Sequence, residues 1–564
     1  MKPRMFLRLP AAVAGIGLCA CTLASAQLSV EKVAATNQIL QQMKATINKL
    51  PLSRQQMLDG YANISNLADV WRVYGMRLTD PSFIAHARNA NGVPNKPEIV
   101  AVSDPATDLA YSSFAGFTQS ETSAARCGQN VVIGYNDSGS VFETPFFFTG
   151  TGGESFSGAS YSTDGGESFT DIGPMNPGPD KSSFLAGDPV VTCANPSTFH
   201  YTQIFTYDTP SGSPRAAVAL STSTDGGMTW GDPVAAISKD GSVHLLDKPW
   251  STIDPSDHHH IFISYTDFDS TETNSCGSNV PMRTAIEFIE STDSGATWSH
   301  PKVAIAVCGS AGVQGSQIAV NSKGTMYISW MNLGQNYPLG PRSIQISSYA
   351  NGVLSRPVTV DNSVQPGGDS FYLQGEFRDV LDLSMAIDHS GTSTDGILYI
   401  TWGDGRDKEI SDPFATQGFY AFDDIFLRVS SDGGKTWGTA PRKVNSDPQP
   451  RLGIGHDHFQ PGIAVDKRGY VGICWYDRRA DWENFAIRRH CGQSSNAGAT
   501  FSDNDIGMNA FAPTHSNDAF VNPAYMGDYD QMTSDFMNWG GGFIGGFETQ
   551  TMRGNPDVIA YPLK

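Results

Sequence analysis

An eight-residue pattern, Ser-x-Asp-x-Gly-x-(Thr/Ser)-aromatic, occurs five times and constrains the fold more than any other feature of the chain. The copies are Ser162/Asp164/Gly166/Phe169, Ser223/Asp225/Gly227/Trp230, Ser291/Asp293/Gly295/Trp298, Ser430/Asp432/Gly434/Trp437 and Ser494/Asn496/Gly498/Phe501. An Asp in a turn accepts hydrogen bonds from the turn's own N–H groups, and Gly permits positive φ. The aromatic then plugs between strands and pins a hairpin. Asp164, Asp225, Asp293, Asp432 and Asn496 are therefore read as structural.

The Asp positions are separated by 61, 68, 139 and 64 residues, so the long step holds two units and one copy near 312–360 has lost its turn. A second motif agrees. Gln317–Asn321 with Tyr327–Asn332 reappears as Met385–Asp388 with Leu398–Asp404, and as Gly462–Asp466 with Val471–Asp477. Ser251–Asp254 with Phe262–Asp267 is another copy, Val131–Asp137 keeps the second half, and Gly527–Met532 with Gly542–Phe547 is a last one lacking the turn. Units of this length hold four short strands, the size of a propeller blade. The reading is an all-β propeller over 110–564 with seven four-stranded blades. Six also fit if the C-terminal piece completes the first blade. The last unit has three obvious strands, so Glu98–Ser103 is expected to close the ring.

The N-terminal part differs. Val30, Val33, Ile39, Leu40, Met43, Ile47 and Leu50 recur at helical spacing, and a second run follows from Arg54 to Tyr74. We read a small helical hairpin over 27–80 and a linker over 81–109. Ahead of them, Lys2, Arg4 and Arg8 precede an apolar run and the small-residue site Ala24-Ser25-Ala26, the pattern of a secretory signal cleaved after Ala26. Cys21 offers a lipoprotein alternative. No later stretch reaches about 18 uncharged apolar residues, so no membrane span is expected. Six cysteines follow the signal, and export favours disulfides. Cys474 and Cys491 fall on neighbouring strands, Cys276 and Cys308 flank one repeat, and Cys127 with Cys193 is the remaining pair.

Removing residues 1–26 takes away those three positive charges and moves the formal net charge from −20 to −23. Such acidity argues against a nucleic-acid partner. It suits a glycan or polysaccharide, and it suits cations.

Each blade runs from strand A at the pore to strand D outside. A-strand starts and B-strand ends therefore share one face, and the repeated turns lie on the other. A-starts supply Asp188, Asp247, Arg378, Asp379, His456, Asp457, His458 and Asp528. B-ends supply Asn136, Asp137, Asp267, Asp404, Arg406, Asp407, Asp477, Arg478, Arg479 and Asp481. Clustered carboxylates raise one another's pKa and serve acid–base chemistry or hold a cation. An Asp at a strand end is also a turn former, with its Arg neighbour as ion-pair partner. The residues proposed for catalysis are Asp477, Arg478, Arg479, Asp404, Arg406, Asp528 and Tyr529. His456, Asp457 and His458, with Asp477, form a candidate metal set, and Ca2+ is the candidate ion.

The repeated turns and Trp475-Tyr476-Asp477-Arg478-Arg479-Ala480-Asp481 resemble secreted bacterial sialidase-like proteins with BNR (Asp-box) repeats. The resemblance covers about 110–564. It implies three arginines on a substrate carboxylate, a Tyr nucleophile assisted by Glu, and an Asp acid/base. Arg406, Arg478 and Arg479 are the matching arginines, Tyr529 with Glu376 the nucleophile pair, and Asp137 the acid. The Phe/Tyr-Arg-Ile-Pro motif of that family is absent from the propeller region. The functional expectation is a secreted propeller that binds, and as a glycosidase hydrolyses, a glycan at the pore mouth. A non-catalytic binder of protein or polysaccharide is the alternative, and a metal-dependent hydrolase or lyase the third.

Overall fold

Short runs of β-branched and aromatic residues between turn formers leave the chain one economical solution, a series of antiparallel meanders. The computed structural model describes residues 99–104 and 118–563, apart from loop stretches that include 145–149, 277–281, 335–339, 412–418, 448–454, 512–525, 535–541 and 551–555. The signal, the helical hairpin and most of the linker lie outside the described residues.

Seven sheets of four main strands form the blades. In order A to D, blade 1 is Gln119–Cys127, Asn130–Asp137, Ser157–Ser162 and Thr170–Pro174. Blade 2 is Val190–Asn195, Thr198–Asp208, Pro214–Ser223 and Val234–Asp240, and blade 3 is His244–Asp254, Asp257–Asp269, Arg283–Ser291 and Lys302–Cys308. Blade 4 is Val313–Val320, Met326–Asn332, Arg342–Ala350 and Val358–Val364. Blade 5 is Leu383–Ile387, Leu398–Ser411, Phe419–Ser430 and Arg442–Lys443, and blade 6 is His458–Val465, Val471–Asp477, Arg488–Ser494 and Ser502–Asp505. Blade 7 takes Met532–Ser534, Phe543–Gln550 and Pro556–Leu563 from one end of the chain and Val100–Ala101 from the other, with Val100 opposite Ala560. The count is seven, not six. The one helix among the described residues is the single turn Ser140–Glu143.

Between blades, B-strand aromatics fill equivalent places: Tyr135, Tyr265, Trp330, Trp402 and Trp475 are each at most 1% exposed. Disulfides join Cys127 to Cys193 across blades 1 and 2, Cys276 to Cys308 in blade 3, and Cys474 to Cys491 across neighbouring strands of blade 6.

The repeated turns show why their residues recur. Ser223 Oγ accepts from Gly227 N at 2.9 Å, Asp225 Oδ1 accepts from Thr229 N at 2.9 Å, and Trp230 Nε1 donates to Gly227 O at 3.1 Å. The same bonds form at Ser291/Asp293/Trp298 and Ser430/Asp432/Trp437. Bonds from Thr436 hold the Asp432 carboxyl down at about 2. The glycine does more than turn the chain. A Cβ on Gly166, Gly227 or Gly295 would fall 2.3, 2.3 or 2.5 Å from Ile544, Val132 or Leu220, each on the preceding blade. All three glycines have φ between 88° and 94°. Each turn is thus a latch between blades. Gly227→Ala is expected to cost about 2–4 kcal/mol, combining left-handed strain with overpacking. The shift of the urea unfolding midpoint measures it, and an unshifted midpoint would refute the latch.

Candidate active site at the pore mouth

The A strands share a distortion that aims polar side chains at the axis. In blades 1, 3, 4 and 6 the A strand advances three residues while its partner advances two, after Ser120, Asp247, Gln314 and Phe459. The extra residue is a β-bulge, a device that re-aims a side chain. Its left-handed position is glycine only in blade 4, at Gly315 (φ 65°). Elsewhere it is Glu121 (53°), Lys248 (46°) and Gln460 (49°), and Asp188 (55°) takes the same conformation just before strand A of blade 2. Non-glycine residues held there store strain, a frequent mark of functional sites.

Side chains from distant blades meet as a result. Lys248 of blade 3 pairs with Asp528 of blade 7, lies 3.6 Å from Glu121 of blade 1 and 3.9 Å from Asp188. Contact across so many blades is available only at the axis. Glu121 also accepts from Asp528 N at 3.1 Å and from Asn136 Nδ2 at 2.7 Å. Gln314 Nε2 donates to Asp247 Oδ2 at 2.6 Å. Each blade therefore places one acid or amide near the mouth: Glu121, Asp188, Asp247, Gln314, Asp379, Asp457 and Asp528.

Electrostatics divides this ring. Burial, and then the Glu121 charge, push the Asp188 carboxyl well above its usual range. Burial raises Asp247 to about 6 against the pull of Lys248. Burial raises Asp379 to about 7, with Asp457 and Asp528 adding to the rise and Arg342 opposing it. Burial works against the Lys248 ammonium, but Asp528, Glu121, Asp188 and Asp247 outweigh it and raise its pKa. Lys248 stays charged, and burial raises the pKa of Asp188 and Asp247 beside it.

The B-end residues behave differently. Trp402 Nε1 donates to Asp404 at 3.0 Å and Arg406 Nε donates to the same carboxylate at 2.7 Å. One blade on, Trp475 Nε1 donates to Asp477 at 2.9 Å and Arg479 Nε donates at 2.8 Å. Arg406 continues to Asp361 at 3.1 Å, and Arg479 to Asp503 at 2.7 Å. These pairs brace the sheets and are not brought to the axial group. Arg478, fully buried, ties Asp457 at 3.0 Å, which also accepts from Tyr420 OH and Asn484 Nδ2, both at 2.8 Å. Asp137 accepts from Gln119 Nε2 at 3.1 Å and Ser140 Oγ at 2.6 Å, and burial raises it to about 6. Asp267 is bound by Lys239 at 2.9 Å and His244 at 2.9 Å.

Tyr529 stays in the axial group: Lys248 Nζ lies 6.0 Å from its ring centroid, its hydroxyl donates to Pro189 O at 3.0 Å, and its ring meets Trp250 edge-on. Its expected partner Glu376 lies outside the described residues. Among the described residues, no three arginines converge with a tyrosine. Of His456, Asp457 and His458, only His458 joins a group with metal-ligand spacing, and its companions are Asp424 and Asp447. Sequence reasoning missed Glu121, Lys248, Gln314 and Arg342.

Neither a family model nor a curated protein matches the chain. Solved structures resemble it in outline at low identity. An α-L-arabinofuranosidase from Fusarium graminearum is 11% identical with a TM-score of 0.39, over 83% of this chain and 97% of that one. An α-L-arabinanase from Penicillium chrysogenum is 9% identical with a TM-score of 0.39, over 83% and 98%. A Hadza microbial sialidase is 11% identical with a TM-score of 0.37, over 68% and 66%.

Proposed function

We propose that the protein is an exported glycoside hydrolase acting at the pore mouth through its axial carboxylates. The carrying observation is the divided ring. Glycoside hydrolysis needs one carboxylic acid that still holds its proton at working pH and one carboxylate that stays charged. Asp379, raised to about 7, meets the first requirement, and Asp528, paired with Lys248, meets the second. In this reading Asp379 protonates the leaving oxygen and Asp528 is the base or nucleophile. Arg478 positions Asp457. Asp404, Arg406, Asp477 and Arg479 serve the scaffold.

The signal sequence and three disulfides support export. The sialidase-like repeats favour a sugar ligand, while the unassembled arginine triad makes a sialic acid carboxylate a poor fit. A panel of aryl glycosides, sialosides and pentofuranosides included, tests the reading. Asp379→Asn and Asp528→Asn are each expected to lose about 10²–10⁴-fold in kcat/KM with the fold retained by circular dichroism. Wild-type activity should fall as pH rises through about 7, where Asp379 loses its proton. An inert wild type that still binds on a glycan array would establish the non-catalytic reading.

A further inference from the structure

His458 has a geometry that the glycan reading does not use. The ring is fully buried, and Nδ1 lies 2.9 Å from Asp423 O, so that nitrogen carries the hydrogen. Nε2 faces a knot of carboxylates between blades 5 and 6, with Asp477 Oδ2 at 3.4 Å and Asp447 Oδ1 at 3.6 Å. It makes no hydrogen bond of its own. One ligand atom each from Asp424, Asp447 and His458 lies within 4.8 Å of the other two, and Asp424 Oδ1 also stands 3.5 Å from Nδ1.

Those distances are long for an N–H···O bond, which runs about 2.7–3.2 Å. They match something else. Ligands at about 2.0–2.2 Å from a tetrahedral ion stand about 3.3–3.6 Å apart. A metal-bound histidine also characteristically donates its other ring N–H to a carbonyl or carboxylate. His458 does so to Asp423. Asn445 fixes the two acids by donating to Asp424 at 2.8 Å and Asp447 at 2.6 Å.

Basic side chains border these acids. Lys443 reaches Asp424 at 2.9 Å and Asp447 at 3.7 Å, and Arg479 is shared between Asp477 and Asp503. His490 Nδ1 also lies 2.9 Å from Asp503 Oδ1. Lys443 keeps 26% of its side chain exposed and can swing outward as an ion enters.

We propose that His458 Nε2, Asp424 and Asp447 bind a divalent transition-metal cation of the zinc class, which fastens blade 5 to blade 6. An imidazole among carboxylates suits zinc better than calcium, which takes six to eight oxygen ligands.

Calorimetric titration of chelator-stripped, full-length protein with ZnCl2 is expected to show one site and a raised Tm. His458→Gln and Asp447→Asn should each weaken that site at least tenfold, so one folded variant suffices, and Lys443→Met should tighten it. Three results overturn the assignment: no zinc binding by the wild type, tighter binding of CaCl2 than of ZnCl2, or a site unaffected by both variants but abolished by His244→Gln. The last would move the ion to the group of His244, Asp267 and Asp269.

Discussion

Lys248→Met should lower the free energy of unfolding by about 3–5 kcal/mol at pH 7.5, the cost of removing one member of a buried ionic group. Methionine keeps the apolar stem and removes the ammonium group with its bond to Asp528. Glu121, Asp188, Asp247 and Asp528 then share a dry site without their common counter-ion. Their remaining escape is to bind protons. A carboxyl whose folded pKa exceeds its unfolded value contributes stability that is complete below the unfolded value and is lost as pH rises through the folded one. For Asp247 that window already runs from about 4 to about 6 in the wild type, and loss of Lys248 widens it upward. The deficit should therefore shrink markedly between pH 7.5 and pH 5. Urea midpoints of both proteins at the two pH values measure it. An equal deficit at both would show that the lysine acts through packing alone.

The second large effect is expected at Asp477. Its carboxylate accepts from the Trp475 indole and from Arg479 and lies 3.4 Å from His458 Nε2. Asp477→Ala leaves a buried indole N–H without its acceptor and leaves Arg479 with Asp503 alone, for an expected loss of about 2–4 kcal/mol. Asp404→Ala removes the equivalent acceptor of Trp402 and Arg406 and should cost a similar amount. Chemical unfolding of both variants checks the parallel. Wild-type stability in either would return that aspartate to the list of free polar groups at the mouth.

Much of this molecule is legible in its sequence because repeats report geometry. The Ser-x-Asp-x-Gly turns gave blade spacing, and the B-strand copies ending at Asp267, Asn332, Asp404 and Asp477 gave register. Asp188, Asp247, Asp379, Asp457 and Asp528 were readable as A-strand starts. Glu121 and Lys248 were not, because a bulge inserts one residue and breaks the two-residue alternation by which facing is counted. The direction of Asp477 was readable in principle. It stands two places after Trp475, so both project from one side of the sheet, toward blade 5, and the indole meets the carboxylate there. Charge type alone does not carry that information, so the ion pairs of Arg406 with Asp404 and of Arg479 with Asp477 were not readable from it.

The joint between Val100–Ala101 and Pro556–Leu563 has a consequence for biosynthesis. The strand made earlier must wait, unpaired, for a segment made much later. Until then six finished sheets form an open arc that bares the apolar faces of blades 1 and 6, which blade 7 covers in the finished ring. A holding chaperone would be most needed during that interval, and translation stalled before residue 556 should yield an aggregating product rather than a shorter, stable one.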